Sequence, residues 1–163
     1  MAIRLCRIDD RLIHGQVVVG WGAKLGLDFI AVVDDALSAS EWEQDLYRAG
    51  LPDGIEGRFA SVAEAVEKFP DWEASSERGF VLTRDIATMR RLAEAGALDH
   101  LEVNIGGIHA APGRRAVLPY LFLSPAEAAE LERIGAMDVE VTAQDVPGAR
   151  KLHLTEILNS VQE

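Results

Sequence analysis

The sequence predicts a single α/β domain built on an open, mostly parallel twisted sheet of about seven strands with helices on both faces. Short apolar runs alternate with longer amphipathic segments, which is the pattern of repeated strand–helix–strand units. Several of these runs are apolar at every position, as expected for strands covered on both sides. A length of 163 residues fits one domain, and we assign residues 1–163 to it.

Seven segments have the composition of strands, and helix signals stand between them. The predicted strands are 3–8, 28–33, 55–59, 79–83, 101–105, 117–123 and 139–143. Ser61 with Glu64 and Ser124 with Glu127 fit capping boxes, in which a hydroxyl and a carboxylate close the first turn of a helix. Asp85 can cap another helix. Glycines stand where helices are expected to end: Gly26, Gly50, Gly96 and Gly135.

Composition and charge narrow the range of partners. The formal net charge is −11, so neither a nucleic acid backbone nor an anionic lipid surface is a favoured partner. The single cysteine, Cys6, can form no internal disulfide, and its position within the first strand predicts a small buried side chain. The charged N-terminal segment predicts no signal peptide, and no apolar run reaches membrane-spanning length, so we expect a cytoplasmic protein.

In parallel sheets, ligands bind beyond the carboxyl ends of the strands, and this rule selects four segments. These are residues 9–15, 34–35, 83–85 and 104–115. The last is a long, glycine-rich connection (NIGGIHAAPGRR) with no helical period, and such loops are often functional. It contributes four candidates for the edge of a site: Asn104, Gly106, Gly107 and His109.

The first of these segments carries the strongest chemical signal. His14 and Gly15 stand at the predicted start of an apolar helix, where free backbone N–H groups favour an anion. Arg11 can offer the same anion a planar set of donors. Asp9 or Asp10 can hold the imidazole in one tautomer and leave its other nitrogen free to attack. A loop histidine among surface ion pairs is the plainer interpretation, so the residues alone indicate an anion site with a candidate nucleophile.

Other readings have weaker support. No two histidines have metal-ligand spacing, and the two carboxylates at 34–35 are weak indicators of a cation site, so we expect no metal and no cofactor. A nucleotide-binding domain is disfavoured because the glycine-rich fingerprint is missing. His100 and His153 are predicted to lie at the surface.

The string RIDDRLIHGQV closely resembles the signature of the IIB proteins of the mannose/fructose/sorbose class of the bacterial sugar phosphotransferase system. The resemblance continues through VVDDALSASEWEQDLYRAGLP, EVNIGGIH and GAMDVEVTAQDVP, and so covers essentially the whole chain. It implies that His14 accepts a phosphoryl group, on Nδ1, from a phosphohistidine of a IIA protein. It also implies that Arg11 stabilises the phosphoryl group.

The resemblance further implies that His14 passes the group to a sugar held by the membrane components IIC and IID. Membrane association would then be peripheral, through those partners, and the choice of sugar would not be encoded in this chain. An alternative with the same residues is a regulatory module, in which phosphorylation reports sugar status without transport. Whether the chain forms a homo-oligomer, and which IIA protein is the donor, stay open at this point.

Overall fold

In the computed structural model, which describes residues 2–162, most strands lie within one residue of their predicted bounds. They are β1 Ile3–Ile8, β2 Phe29–Val33, β3 Glu56–Ala60, β4 Gly79–Thr83, β5 Glu102–Ile105, β6 Arg115–Leu118, β7 Leu121–Leu123, β8 Glu140–Ala143 and β9 Leu152–His153. The helical segments are a π-helix Gln16–Gly22, α1 Ala23–Leu25, α2 Asp35–Ser38, α3 Glu41–Ala49, α4 Val62–Ala74, α5 Ile86–Glu94, α6 Pro125–Gly135 and α7 Leu154–Gln162.

Side-chain caps fix the starts of the helices, as the sequence predicted. The Ser61 hydroxyl accepts the Glu64 N–H, and the Glu64 carboxylate accepts the Ser61 N–H, so α4 begins with a complete capping box. Ser124 and Glu127 form the same arrangement at α6. Asp85 caps α5 by accepting the N–H of Thr88.

The main sheet has the strand order β3-β2-β4-β1-β5-β8-β9, and only the β8–β9 pair is antiparallel. Helices cover both faces, because α4 to α7 pack in one apolar cluster while the π-helix, α2 and α3 pack in the other. Successive residues of β2 alternate between the two: Ala31 belongs to the first cluster and Ile30 to the second. The predicted fold class is therefore confirmed.

One strand prediction is wrong. Residues 117–123 read as a single apolar strand, but β6 and β7 form an antiparallel hairpin outside the main sheet. Pro119 and Tyr120 make the turn between them, and proline favours a turn because its φ is fixed and it has no N–H for a ladder. The seventh strand of the main sheet is instead the short β9, which apolar patterning did not predict.

The order of the strands places a topological switch beside β1. The connection that leaves β1 leads to β2 on one side of the sheet, whereas the chain leaving its neighbour β5 leads toward β8 on the other side. The loops after β1 and β5 therefore diverge and leave a crevice between them, which is where ligands bind in such sheets. Within residues 2–162, no helix is long and apolar enough to cross a membrane.

Candidate functional site

The loops that follow β1 and β5 meet at the carboxyl edge of the sheet. The N–H of Gly106 donates to the carbonyl of Ile8 at 2.7 Å, and the N–H of Asp10 donates to the carbonyl of Gly107 at 2.9 Å. These backbone bonds continue the parallel pairing of β1 with β5 past the ends of the strands. The segments 9–15 and 104–115 therefore form one surface, as the sequence predicted.

His14 lies against a buried carboxylate. Its Nε2 is 3.1 Å from Oδ2 of Asp9, which is fully buried, while the histidine side chain keeps 14% of its surface exposed. The contact is one of proximity and charge, because Nε2 is not aligned for a standard hydrogen bond. Within residues 2–162, Nδ1 has no hydrogen-bond partner and is not among the enclosed polar atoms. Asp9 thus occupies one ring nitrogen and leaves the other open.

Besides His14, three other groups contact the Asp9 carboxylate. Its oxygens accept the N–H groups of Arg11 and Gly107, each at 3.3 Å, and Oδ2 lies 3.4 Å from Nη2 of Arg7. Burial alone raises the pKa of Asp9, but the contact with His14, the charge of Arg7 and the Arg11 N–H outweigh it, so the pKa is held below its ordinary value. Asp9 therefore stays charged beside the imidazole.

The loop between Asp9 and His14 contains a strained residue. Leu12 is fully buried and has φ of 57°, a left-handed conformation that costs a leucine about 1–2 kcal/mol. Its N–H donates to the Asp9 carbonyl at 2.9 Å, which closes a tight turn. Packing of the buried leucine side chain holds this turn in place. The turn lies within the loop that connects Asp9 to His14, five positions later. Strain at such a position is typical of functional loops.

Arg11 and Gly15 form the solvent side of the site. The Arg11 side chain is 45% exposed; its Nη2 donates to Oε1 of Gln16 at 2.8 Å, and its Nε lies 3.9 Å from Oδ1 of Asp9. Gly15 precedes the π-helix, and no side chain caps this end. The first N–H groups of a helix have no acceptor within it, so they and the free donors of Arg11 can face an anion. π-Helical turns are themselves frequent at functional sites.

A buried arginine that the sequence analysis did not single out stands behind Asp9. Arg7 is fully buried in β1, and its guanidinium donates to Oδ1 of Asn104 and to the carbonyls of Gln144 and Asp145. Its carbon Cζ also lies 5.0 Å from the centre of the Trp21 ring. The available signal was an arginine between Cys6 and Ile8 near the carboxyl end of a predicted strand, because such a charge is buried only when it is paired.

The structure places Asn104 and Gly106 behind the site, beside this arginine. Asn104 is buried; its amide oxygen accepts from Arg7, and its amide nitrogen donates to Oγ1 of Thr142 at 2.9 Å. A Cβ built on Gly106 would lie 2.2 Å from Nη2 of Arg7, so only glycine fits there. Gly107 donates its N–H to Asp9 and reaches the site directly.

Asp10 contacts His109 and not His14. Oδ2 of Asp10 lies 2.8 Å from both the backbone nitrogen and Nδ1 of His109. Of the two carboxylates proposed as orienting groups, Asp9 alone faces the imidazole of His14. His109, predicted for the edge of a site, lines the same pocket of about 350 Å³ as Arg11.

Comparison with known proteins shows the family to which the chain belongs. The model of the PTS system sorbose subfamily IIB component, where PTS stands for phosphotransferase system, matches residues 3–163. The chain belongs to this family of IIB components.

Individual relatives agree with the family match. The chain is 31% identical over 150 residues to the N-acetylgalactosamine-specific phosphotransferase enzyme IIB component 1 of Escherichia coli, covering 91% of this chain and 94% of that one. It is 26% identical to the mannose-specific EIIAB component of E. coli, spanning all of this chain and 50% of that one. The crystal structure of the IIBSor domain of the sorbose permease from Klebsiella pneumoniae superposes with a TM-score of 0.87, at 25% identity and with coverage of 98% and 97%.

PTS IIB components are phosphotransferases, so the chain is a phosphotransfer domain of a sugar transport system. The resemblance read from the signature around His14 is therefore confirmed at the level of the family. A phosphotransfer domain needs a site for the phosphoryl anion, and the open donors of Arg11 and of the helix start after Gly15 are suited to that use.

The remaining strand ends of this IIB component carry structural roles. Asp34 caps α2 and pairs with Arg84, while Asp35 accepts the N–H of Val62 and pairs with Arg91. Within the described part of the chain, no three histidine, cysteine or acidic side chains are grouped to hold a metal ion. His100 and His153 are exposed, as the sequence predicted.

Proposed function

We propose that residues 1–163 act as one IIB domain that carries a phosphoryl group on Nδ1 of His14. The group comes from a phosphohistidine of a IIA protein and passes to a sugar bound by IIC and IID membrane components. The observation that carries the proposal is that the two nitrogens of the His14 ring have different surroundings. Nε2 lies 3.1 Å from the charged Asp9, whereas Nδ1 has no hydrogen-bond partner among residues 2–162. Arg11, whose N–H donates to the same Asp9 carboxylate, and the uncapped helix start after Gly15 supply donors in the same loop.

The arrangement suits transfer between two histidines. In the loading step, the lone pair of Nδ1 forms a bond to phosphorus while the bond from phosphorus to the donor histidine breaks. The negative charge of Asp9, 3.1 Å from Nε2, favours the tautomer with its proton on Nε2 and balances the positive charge that develops in the ring as Nδ1 attacks. The phosphoryl oxygens then need cationic and N–H donors, which Arg11 and the helix start supply.

The partners follow from the family. The relative named EIIAB is twice as long as the region matched here, which supports a IIA partner that acts next to a IIB domain. Relatives are named for sorbose, mannose and N-acetylgalactosamine, which supports a sugar as the final acceptor. We place the protein in the cytoplasm, associated with the membrane through IIC and IID, with no metal or organic cofactor.

Loss of the nucleophile provides the direct test. His14→Ala, incubated with phosphorylated IIA, is expected to take up no phosphoryl group and to keep the wild-type unfolding profile. Mass spectrometry under non-acidic conditions measures the added mass and its position. The matched control is His153→Ala, which removes an exposed histidine in β9 and should load fully. Full loading of His14→Ala would exclude His14 as the carrier.

The role of Arg11 gives a second test, on rate rather than on capacity. Arg11→Lys keeps the charge but loses the planar set of donors, so the rate of loading from phospho-IIA should fall roughly 10- to 100-fold. Because the side chain is half-exposed, the free energy of unfolding should stay within about 0.5 kcal/mol of wild type. Rapid-quench measurement of the loading rate checks this. Equal loading rates for wild type and Arg11→Lys would mean that the planar donors of Arg11 are not needed, and that the backbone N–H groups at the helix start hold the anion.

A further inference from the structure

His109 is held in one orientation by three contacts, although its side chain is 68% exposed. Its backbone N–H donates to Oδ2 of Asp10 at 2.8 Å, and its Nδ1 lies 2.8 Å from the same oxygen. Its carbonyl accepts from Nη1 of Arg114 at 2.8 Å, and Arg114 is anchored in turn by two bonds to the Glu127 carboxylate. These contacts fix both the backbone and the ring of His109.

The contact with Asp10 fixes the chemistry of the ring. A carboxylate accepts hydrogen bonds and donates none, so the neutral ring carries its hydrogen on Nδ1 and presents an unprotonated Nε2. Within residues 2–162, Nε2 of His109 has no hydrogen-bond partner and is not enclosed. A carboxylate that holds one nitrogen of an imidazole and leaves the other as a proton acceptor is the arrangement of a general base.

This base lies next to the proposed phosphoryl site. His109 and Arg11 line one pocket of about 350 Å³, together with Gly107, Ala110, Pro119, Tyr120 and Phe122. A Cβ built on Gly107 would lie 3.9 Å from Nη2 of Arg11 and 3.6 Å from Oδ1 of Asp9, the carboxylate that contacts His14. Arg11 therefore belongs both to this pocket and to the proposed anion site, and Gly107, which donates its N–H to Asp9, lies between them. Its lining of one cation, one imidazole and two aromatic rings suits a small polyhydroxylated molecule.

We propose that His109, oriented by Asp10, is the general base of the onward transfer, and that this pocket receives the acceptor hydroxyl. The inference rests on the proposed function of His14. In this step the acceptor oxygen forms a bond to phosphorus, and the bond from phosphorus to Nδ1 of His14 breaks. The electron pair returns to Nδ1, and the hydroxyl proton passes to Nε2 of His109.

The two transfers differ in their need for a base, and this makes the proposal testable. A histidine that attacks phosphorus through its lone pair loses no proton, so loading requires no base. A hydroxyl that attacks phosphorus must lose one, and a positioned base contributes about 10²- to 10⁴-fold to such a step. Loss of the base should therefore lower the onward rate far more than the loading rate.

The experiment measures both rates on the full chain. His109→Gln and His109→Gly are loaded by phospho-IIA and then mixed with membrane vesicles that contain the cognate IIC and IID components. Sorbose, mannose and N-acetylgalactosamine serve in turn as the acceptor. We expect the ratio of the onward rate to the loading rate to fall roughly 100-fold in both variants, on the scale of a lost general base. Free imidazole should restore part of the onward rate of His109→Gly alone.

The possible outcomes separate the two proposals. A wild-type ratio in His109→Gln overturns the role of His109 as a base. An equal fall in both rates, with no rescue by imidazole, also overturns it and assigns His109 to the shape of the loop. His153→Gln, which alters an exposed histidine away from the site, controls for general effects on the chain. Failure of wild-type His14 to load overturns the proposed function itself, and does so before any acceptor is added.

Discussion

Two edges of the sheet can be compared: the first is formed by the ends of β1 and β5, and the second by the ends of β2 and β4. Both contain an arginine with aspartates, but these side chains are buried to different degrees. Arg7 and Asp9 at the first edge are fully buried. At the second edge, Arg84 is 43% exposed, and its partner Asp34 has both oxygens occupied, one by the N–H of Leu37 and one by Arg84. The second set fixes the start of α2, whereas the first lies against the imidazole of His14.

The two edges also differ in whether their buried polar atoms have hydrogen-bond partners. Among the described residues, three buried side-chain polar atoms have no hydrogen-bond partner: Nε of Arg7, Oδ1 of Asp10 and Nε2 of His14. All three belong to β1 or the loop that follows it. Buried polar atoms are almost always satisfied, so this concentration separates the β1 edge from the second edge and agrees with the function proposed for the first. Residue types alone do not, because both edges have them.

Removal of the two arginines should give the largest contrast in stability. Arg7→Met leaves the Asp9 carboxylate buried without its counter-charge, and breaking a buried pair in this way costs about 3–5 kcal/mol. Arg84→Met is the matched control, since it removes a half-exposed partner and should cost below about 1 kcal/mol. Urea unfolding of both variants, followed by circular dichroism, measures the difference. Equal losses would mean that burial does not separate the two edges.

A methyl group at Gly106 should have the next largest effect. In Gly106→Ala the added carbon would meet Nη2 and Cζ of Arg7 and Oδ2 of Asp9, all within 2.6 Å, so the buried ion pair must move. Overpacking of this kind costs about 1–3 kcal/mol, and displacement of Asp9 should also slow the loading of His14. Gly148→Ala is the control, because nothing lies within 4 Å of its added carbon. If both variants unfold alike, the close approach at Gly106 is not limiting.

Much of the fold was predictable because its signals are local. The capping boxes at Ser61 and Ser124 and the apolar runs of the parallel strands depend on neighbouring residues, and the structure confirms them. The hairpin of β6 and β7 was missed because an apolar run does not show where it turns. The antiparallel β9 was missed because a two-residue pair has no periodicity to detect.

The site was predictable only in part, for a related reason. The loop from Asp9 to Gly15 is continuous in sequence, so its residues could be found together. The supports of Arg7 come from carbonyl groups 137 and 138 residues away, and a backbone carbonyl carries no residue-specific signal. Whether Asp9 or Asp10 faces His14 depends on the turn at Leu12, whose positive φ is rare for leucine and was not expected from the residue type.

The smallest effect is expected from an exposed carboxylate at the second edge. The N–H of Val62, followed by the Arg91 guanidinium, holds the pKa of Asp35 below its ordinary value of about 3.9. A lowered pKa stabilises the fold above the ordinary value, and this contribution is lost as the pH falls through the lowered one. Asp35→Asn should therefore lose less than about 1 kcal/mol at neutral pH, since the pair is half-exposed. The difference from wild type should vanish in strong acid.

Asp9→Asn is the counterpart of Asp35→Asn at the first edge. The two variants together show whether a carboxylate with a lowered pKa contributes equally to the free energy of unfolding at both edges. Burial raises the pKa of Asp9, but the contacts with His14 and Arg7 overcome it, so this carboxylate is also charged at neutral pH. Its replacement leaves Arg7 buried without a counter-charge, and the loss should approach that of Arg7→Met. Urea unfolding of both variants at neutral pH and in acid measures the four free energies of unfolding. A neutral-pH loss in Asp35→Asn as large as that in Asp9→Asn would show that exposure does not weaken the pair, and the contrast between the two edges would fail.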